Sequence, residues 1–526
     1  MSEGQSTISP HPQSSVLRTW WLKAAVVALL AILTLGTRLP APWRVELTND
    51  EMFHIKSWRN RYRTDDVIPT FTRRLDQTGR LSSSQKEWLR HLYRTSPLFQ
   101  RLLCVKGDYA SVGYSTLAEA IEALSHSSLS ALRIPSVLFS LGTVVLAYVL
   151  GKALMDEALG LWLAAFFAVG PLDQVYAGIG RPHMLTRFAL LAVFWMFVLE
   201  QRQRRTSPWR FLTVALLAQT THLTIWGVMG VLVISELARR YLAGTSLWEL
   251  IRQTWWYAAL SLALLAIIVT GTMGTSVIGA NVYYPGVETW WSNLCIAAPF
   301  GHLAAFGEPW MWVSGVAWVV LILAGVRAIC ADEYGCRSFR WPLLACLAVS
   351  LTVPFVGSSG VRHQMIHGVM PMIISALGAR SLFRSERAAL IGVAGVLAIF
   401  TPLSLSCREC PYRLVLTSDI HYSEVAGRLR RELKPGDVWI SWPYFAACPL
   451  YPYGPLPDPI MPMTGEEFLS ALHQRPRDRS CFVWMNKVDE DKDPILKQAQ
   501  LLLEYPNNMV LLRLPPNPIQ DDSPGQ

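Results

Sequence analysis

The chain is 526 residues long, 52% hydrophobic and only 16% charged, and it contains 21 tryptophans. A soluble protein of this length would carry about 25% charged residues, so the composition indicates a polytopic membrane protein. The formal net charge is +9, but the cations lie between apolar runs and do not gather into a basic face. This distribution serves membrane topology and excludes nucleic acid as a partner.

The first apolar run predicts a membrane anchor. Residues 1–19 are polar, and we expect a disordered N-terminus on the cytoplasmic side. The span at about 20–37 follows Arg18, and Lys23 can extend its side chain to the membrane interface. The run could serve as a signal sequence, but no clear small-residue cleavage site precedes Asp50, which favours an uncleaved anchor.

Two adjacent carboxylates, Asp50 and Glu51, follow this span at the start of a long loop over residues 38–131. A carboxylate held at a membrane surface can act as a general base. Thr48 and Glu51 also fit a helix capping box, and the pattern alone leaves both interpretations open. Later in the loop, polar and apolar residues alternate around Trp88, which predicts short amphipathic helices lying on the membrane.

Ten further apolar runs follow the loop, each close to the ~20 residues that a helix needs to cross a membrane. With the first run they predict about eleven transmembrane helices and an all-α membrane domain over residues 20–404. The stretch 209–238 can also be divided differently. The ten runs are 133–152, 159–177, 184–200, 209–223, 225–238, 254–272, 309–329, 341–357, 365–382 and 387–404.

Basic residues are distributed unequally between alternate loops. One set of loops carries most of the cations, whereas the short loops of the other set carry only Arg181, Arg187 and Arg362. By the positive-inside rule the crowded set faces the cytoplasm, so the carboxylate loop and the C-terminal tail are predicted to face outward. The cations of the crowded set are Lys152, Arg202, Arg204, Arg205, Arg210, Arg239, Arg240, Arg252, Arg327, Arg337, Arg340, Arg380, Arg384 and Arg387.

Residues 405–526 predict a small α/β domain on the outer side. Ser423–Leu433 has the pattern of an amphipathic helix, Val438–Ile440 and Phe482–Trp484 that of strands, and Ile495–Tyr505 that of a second helix. Because disulfides form in oxidising compartments, we expect at least one among the four cysteines of this domain, in a pairing that the sequence leaves open. They are Cys407, Cys410, Cys448 and Cys481.

The three outward arginines are candidate phosphate ligands. A guanidinium at the edge of the hydrocarbon is costly unless it is paired, and it matches a phosphate group well. If Pro182 begins a helix, His183 and Arg187 lie on one face at i,i+4 spacing. Extension of the arginines toward lipid headgroups is the competing interpretation.

Histidines lie close in sequence to two of these arginines, His183 to Arg181 and His363 to Arg362. His363 follows Arg362, and His363 and His367 have the i,i+4 spacing of a metal-binding helix. Gln364 stands where a zinc protease would need its glutamate, and no third ligand is near, so we expect neither a metal nor another cofactor. We interpret His222 as a packed, hydrogen-bonded histidine.

Five short segments along the chain form a series. They are Asp50-Glu51, Ser96-Pro97-Leu98-Phe99, Ala131-Leu132-Arg133-Ile134-Pro135-Ser136, Tyr176…Arg181-Pro182 and Arg362…Pro371. In order and in predicted outward placement they resemble the GT-C glycosyltransferases of the protein O-mannosyltransferase and lipid A aminoarabinose transferase type. The resemblance covers about residues 20–404, and the family typically has Tyr where this chain has His183.

The resemblance implies transfer of a sugar from a polyprenyl-phosphate donor to a glycan, lipid or protein acceptor at the outer face of the plasma membrane. Asp50 would be the general base, and Glu51 would orient the acceptor or pair with a cation. Direct displacement would invert the anomeric centre, while fixed cations stabilise the leaving phosphate. The candidates for binding the donor phosphate are Arg181, His183, Arg187, Arg362 and His363.

Two other functions remain open on the sequence. A transporter would place ionisable groups in mid-membrane on broken helices, often in repeated halves, whereas here the polar groups cluster toward one face. A polyprenyl-linked glycan polymerase or ligase also acts on lipid phosphates at the outer surface. Such an enzyme would place its key residues in a later outer loop.

Overall fold

The computed structural model describes residues 13–40, 82–84, 87–88, 91, 112–125, 128–203, 208–222, 225–276, 287–333, 338–356, 366–406, 422–442, 450, 456, 460, 465–476, 478–487, 493–505 and 509–516. These residues fall into two compact units, the first ending at residue 406 and the second beginning at residue 422. Among them, the first unit is helical and the second contains a four-stranded sheet.

Most helices of the first unit coincide with the apolar runs of the sequence, except that the run 159–177 is split between two helices. Two helices were not predicted: Val112–Ser125 in the long loop, and Val287–Ala297 between the runs 254–272 and 309–329. The helices are α1 (Gln13–Arg38), α2 (Val112–Ser125), α3 (Ser128–Leu154), α4 (Glu157–Val169), α5 (Pro171–Ala177), α6 (His183–Gln203), α7 (Trp209–Gln219), α8 (Trp226–Leu242), α9 (Leu247–Ser276), α10 (Val287–Ala297), α11 (Glu308–Cys330), α12 (Arg340–Val356), α13 (Val369–Leu382) and α14 (Glu386–Ser406), with a 3₁₀ helix at Gly301–Phe306.

Five helices in the described part of the chain are long and apolar enough to cross a membrane, or six if α4 and α5 count as one bent span. These are the features of a multi-pass membrane protein. The predicted number of about eleven is not reached by this measure. Length explains four of the five missing spans, because α7, α8, α12 and α13 have 11, 17, 17 and 14 residues, fewer than the ~20 that cross a bilayer. The fifth, α9, has 30 residues and is long enough, but it is not among these helices.

The break between α4 and α5 lies at Gly170-Pro171, and the two helices are bent by 61° relative to each other. Pro171 has no N–H group and its ring clashes with the carbonyl four residues earlier, so the helix cannot continue through it. Gly170 has no side chain at a point where a Cβ atom would fall against the Asp173 carboxylate. α4 itself is buried along nearly its whole length. The break therefore lies inside the bundle.

Half-exposed ion pairs join three helices at the start of α4. Lys23 Nζ lies 2.9 Å from Glu157 Oε2 and 2.6 Å from Glu386 Oε1, which connects α1, α4 and α14. Tyr148 donates a further hydrogen bond to Glu157, at 3.4 Å. We call this group the Lys23 cluster.

In the second unit, helices cover both faces of the sheet. Its elements are α15 (Tyr422–Glu432), β1 (Val438–Ser441), α16 (Gly465–His473), β2 (Cys481–Asn486), β3 (Gln500–Glu504) and β4 (Met509–Leu514). The strand order is β1-β2-β4-β3, with β1 and β2 parallel and the other pairs antiparallel. Side chains alternate between two cores, since Trp439 packs in the core that includes Leu429 of α15, and Ile440 in the core that includes Phe468 of α16.

The predicted helix over Ile495–Tyr505 is wrong. Leu496–Gln498 is one turn of 3₁₀ helix, and Gln500–Glu504 is strand β3, paired with β4. Leucine-rich segments favour helix, but cross-strand pairing overrides this weak preference. Pro506 follows the segment directly and disfavours the helical conformation for the residue before it. The proline is therefore a local signal against a helix that reaches Tyr505.

Cys481 does not form a disulfide. Its thiol is free and buried at the start of β2, in the core with Ile440 and Phe468. Burial raises the pKa of the Cys481 thiol to about 12. All three complete pairings of the four cysteines are therefore wrong, since each includes Cys481. Cys407, Cys410 and Cys448 lie outside the described residues, and a bridge among them stays a prediction.

Candidate functional site

The described part of the site lies where α5 meets α6, and it contains three of the seven predicted site residues. Those three are Arg181, His183 and Arg187, and the other four, Asp50, Glu51, Arg362 and His363, lie outside the described residues. α6 begins at His183, one residue after the predicted start. The Thr186 amide donates to the Pro182 carbonyl at 2.8 Å, which forms the first turn.

Arg187 is enclosed by protein. Its Nη1 atom lies 3.1 Å from Asp173 Oδ1 in α5, and both side chains are 1% exposed. Nη2 lies 2.8 Å from Met372 Sδ, and Cζ lies 4.6 Å from the centre of the Phe167 ring. The geometry is that of an internal ion pair, and it gives no support to the predicted contact of Arg187 with a donor phosphate.

A second buried guanidinium belongs to Arg38, the last residue of α1. It donates to Ser140 Oγ at 2.8 Å, to the Phe167 carbonyl at 2.8 Å and to the Ala168 carbonyl at 3.3 Å. The last carbonyls of a helix have no partners within the helix and carry partial negative charge. Arg38 therefore satisfies the end of α4 at the point where the span breaks.

A chain of hydrogen bonds extends from the same helix end. Gln174 Nε2 donates to the Ala168 carbonyl at 3.0 Å and to Ser404 Oγ at 3.1 Å, and Ser404 Oγ lies 3.2 Å from His302 Nε2. Because an unsatisfied polar group inside a bilayer is costly, these partners make the irregular backbone at Gly170 tolerable.

Three histidines from separate elements are buried beside the α5–α6 junction. The rings of Tyr176 and His183 lie 4.8 Å apart, and those of His183 and His222 lie 5.8 Å apart. His367, just before α13, is close enough to His222 for an electrostatic effect. In the described part of the chain, no group of three or more His, Cys, Asp or Glu side chains is placed to hold a metal ion.

Arg181 differs from Arg187 and His183 because its side chain is only partly buried. Its amide donates to the Ile179 carbonyl at 2.8 Å, and its carbonyl accepts from Ser136 Oγ of α3 at 3.4 Å. Ser136 in turn lies 3.3 Å from the Tyr114 hydroxyl, which donates to the Leu132 carbonyl at 2.6 Å. The backbone of Arg181 is thus attached to α3, while the residue as a whole is partly exposed.

Asp173 and Arg38 are the two charged residues of this network that sequence analysis missed. Asp173 was readable, because an acid inside the apolar run 159–177 is expected to be paired or functional. Arg38 was readable in the same way as Arg181, since it breaks the charge bias at the end of the first span that is predicted to face outward.

Comparison with solved structures identifies the fold. The chain is similar to ArnT from Cupriavidus metallidurans in the apo state, with 11% identity, coverage of 94% of this chain and 98% of that chain, and a TM-score of 0.55. The same protein bound to undecaprenyl phosphate has the same identity and coverage and a TM-score of 0.53. The oligosaccharyltransferase of Archaeoglobus fulgidus tethered with an acceptor peptide is 11% identical, with coverage of 96% of this chain and 76% of that chain and a TM-score of 0.50.

No protein-family model matches the chain, and no curated protein sequence matches it. The likeness is therefore one of fold, and it extends over nearly the whole chain. The proteins it is similar to are glycosyltransferases of the GT-C superfamily. The predicted architecture is confirmed at this level: the chain has the GT-C membrane fold.

Proposed function

We propose that this protein is a membrane glycosyltransferase that moves a sugar from a polyprenyl-phosphate donor to an acceptor at the outer face of the membrane. The observation that carries the proposal is the GT-C fold over 94% of the chain, shared with a protein solved with undecaprenyl phosphate bound. The partly buried Arg181 at the α5–α6 junction supports it, because a guanidinium near the hydrocarbon edge suits a lipid phosphate.

The reaction needs a base when the acceptor is a hydroxyl. The acceptor oxygen forms a bond to the anomeric carbon, the bond from that carbon to the phosphate oxygen breaks, and the acceptor proton passes to Asp50. This direct displacement inverts the anomeric centre. Glu51 orients the acceptor or pairs with a cation. A phosphate acceptor would already be ionised, and Asp50 would then position it.

The leaving group is a lipid phosphate, so fixed cations can stabilise its charge without a separate acid. We assign this role to Arg181 and Arg362, with His183 and His363 beside them in sequence. Arg187 we assign to the internal ion pair with Asp173. A guanidinium offers paired donors to phosphate oxygens, which lysine lacks.

The decisive experiment is single-turnover transfer from a lipid-phosphate sugar in detergent. Asp50→Asn keeps the shape of the side chain but removes the proton acceptor, and we expect a loss of about 10²–10⁴-fold in rate. Asp66→Asn, in the same loop, is the matched control and should leave the rate unchanged. Near-wild-type transfer by folded Asp50→Asn to a hydroxyl acceptor would contradict the assignment, because a capping role would affect stability by about 1 kcal/mol and activity little.

Substitutions of Arg181 and Arg362 test donor binding. Arg181→Ala and Arg362→Ala should weaken use of the donor, and lysine at either position should recover only part of it. Mass spectrometry of polyprenyl-linked sugars in a strain lacking the protein should reveal the unused donor. Transfer that is equal in wild type and Arg181→Ala would remove Arg181 from the site.

The outward orientation has its own test, motivated by the arginine asymmetry. In a background without the native outer thiols, cysteines at Gly79 and Ser523 should react with an impermeant thiol reagent in intact cells. A cysteine at Thr206 should not react. Labelling of a cysteine at Thr206 would contradict the predicted topology and would place Asp50 and Glu51 on the cytoplasmic side.

The alternative is a polyprenyl-linked glycan polymerase or ligase. The same transfer assay distinguishes it by the mass of the product, which would gain many units or a preassembled glycan in place of one sugar. A transporter, the more distant alternative, would tolerate Asp50→Asn without loss.

A further inference from the structure

Asp173 and Arg187 enclose the segment that carries Arg181. Asp173 lies in the short helix α5 and Arg187 in the second turn of α6, and their ion pair closes the chain between them into a loop. Within this loop the Ser136 hydroxyl holds the Arg181 carbonyl at 3.4 Å. The loop is therefore fixed at its base by a charge pair and at its tip by a hydrogen bond to α3.

The pair is costly as a device for stability alone. Taking two charges out of water costs several kcal/mol per ion, and hydrophobic residues of similar volume often pack at least as well. A buried pair does impose a single arrangement, because any shift leaves a charge without its partner. The contacts of Arg187 with Met372 and Phe167 restrict its guanidinium further.

A second buried cation, Arg38, has an electrostatic effect on Asp173. Its own hydrogen bonds go to Ser140 and to the carbonyls of Phe167 and Ala168. The bend at Gly170 sets the direction of α5, and the pair then sets the distance between α5 and α6. Together with the hydrogen bonds of its amide and carbonyl groups, these contacts restrict the backbone of Arg181.

We propose that Asp173 and Arg187 are positioning residues that hold the Arg181 segment in the one arrangement in which its guanidinium can meet the donor phosphate. The inference rests on the proposed function for its ligand, but not for its geometry. The pair itself does not touch the reacting atoms, because both side chains are buried at 1% exposure. Its effect on catalysis is exerted through Arg181.

The geometric test needs no substrate. Arg181→Cys reports the segment by its rate of reaction with a small methanethiosulfonate in purified protein. Adding Asp173→Asn and Arg187→Gln together removes both charges, leaves a polar side chain at each position and avoids a lone buried charge. We expect labelling to accelerate about tenfold, the change that 1.4 kcal/mol of lost segment stability would produce. An unchanged rate in folded protein would overturn the proposal.

Two variants control this measurement. Lys23→Gln with Glu157→Gln removes a half-exposed pair at the start of α4 and should leave the labelling rate as it was. Arg187→Lys keeps a cation opposite Asp173 and should retain most of the slow labelling. Acceleration in the Lys23 control equal to that in the Asp173–Arg187 variant would mean general loosening, and would also overturn the proposal.

The kinetic test separates this inference from the proposed function. In otherwise wild-type protein, the double substitution should raise KM for the lipid-phosphate donor about tenfold, with kcat changed less. In an Arg181→Ala background it should have no further effect, because the pair then has nothing to position. If wild type transfers no sugar but the labelling rates differ as expected, the proposed function fails while the positioning pair stands.

Discussion

The two ends of helix α4 hold charge in opposite ways. At its start, Glu157 pairs with Lys23, and the two side chains are 42% and 28% exposed. Beyond its end, Asp173 pairs with Arg187, and both are 1% exposed. The first pair lies where water and headgroups can replace either partner, and the second lies where only protein can. The exposed ion pair therefore links α4 to α1, whereas the buried ion pair restricts how α5 and α6 can be placed relative to each other.

This difference has an energetic scale. An exposed pair typically contributes 0 to about 1 kcal/mol, because solvent screens it and its side chains lose entropy. Removing one partner of a buried pair costs about 3–5 kcal/mol, since a lone charge is left in the interior. The following four predictions test this contrast, beginning with the largest effect.

Arg187→Gln should destabilise the protein most, by about 3–5 kcal/mol, because it leaves the Asp173 carboxylate buried without its partner. Thermal unfolding in detergent, followed by tryptophan fluorescence, measures the loss. The double variant Asp173→Asn, Arg187→Gln should recover much of it. A double variant as unstable as the sum of the single ones would show that the two residues are not coupled.

Arg38→Met should cost about 3 kcal/mol, since two carbonyls at the end of α4 and Ser140 lose a charged donor. Arg38→Lys should recover part of the stability, because an ammonium group cannot reach all three acceptors in the same geometry. The same unfolding assay applies. Equal stability of Arg38→Met and wild type would mean that the carbonyls find other donors.

Gly170→Ala tests the bend between the two helices. A methyl group there would fall against the Asp173 carboxylate, and overpacking of this kind costs about 1–3 kcal/mol. Gly395 in α14 provides the control, because a Cβ atom at that position meets nothing within 4 Å. We expect Gly395→Ala to stabilise the helix by about 0.5–1 kcal/mol, because alanine is the better helix former and finds space there. Similar unfolding temperatures for the two variants would count against a tightly packed break.

Lys23→Met should have the smallest effect, at most about 1 kcal/mol, and that effect should shrink as salt screens the charges. The measurement is the unfolding temperature of variant and wild type at low and high salt. A loss as large as that of Arg187→Gln would erase the contrast between the two ends of α4.

The helices of the membrane unit could be predicted because each apolar run carries its own signal over about 20 residues. The start of α6 was predicted to within one residue, from Pro182. The break inside 159–177 could have been predicted too, since Pro171 stops a helix and Asp173 is an acid in an apolar run. Apolar runs, prolines and charged residues act within their own segment, so their effects can be predicted from the sequence of that segment.

The contact partners of the candidate site residues could not be predicted from the sequence. The i,i+4 spacing of His183 and Arg187 gives their shared face, but not that α5 lies opposite with a carboxylate. The same limit explains β3, whose leucines favour helix until β4 is present as a neighbour. Which residue meets which across the fold depends on distant segments, and a single sequence does not state it.

The bend at Gly170 also shortens the span. α4 has 13 residues and is therefore about 20 Å long, about 10 Å less than a ~30 Å hydrocarbon layer. α5 has seven residues and is bent away by 61°, so it adds only about 5 Å along the axis of α4. Measured along that axis, the two helices together are shorter than the hydrocarbon layer is thick. If the proposed reaction takes place at the end of α5, a span of this length would let a lipid-borne phosphate meet the Arg181 segment without leaving the bilayer.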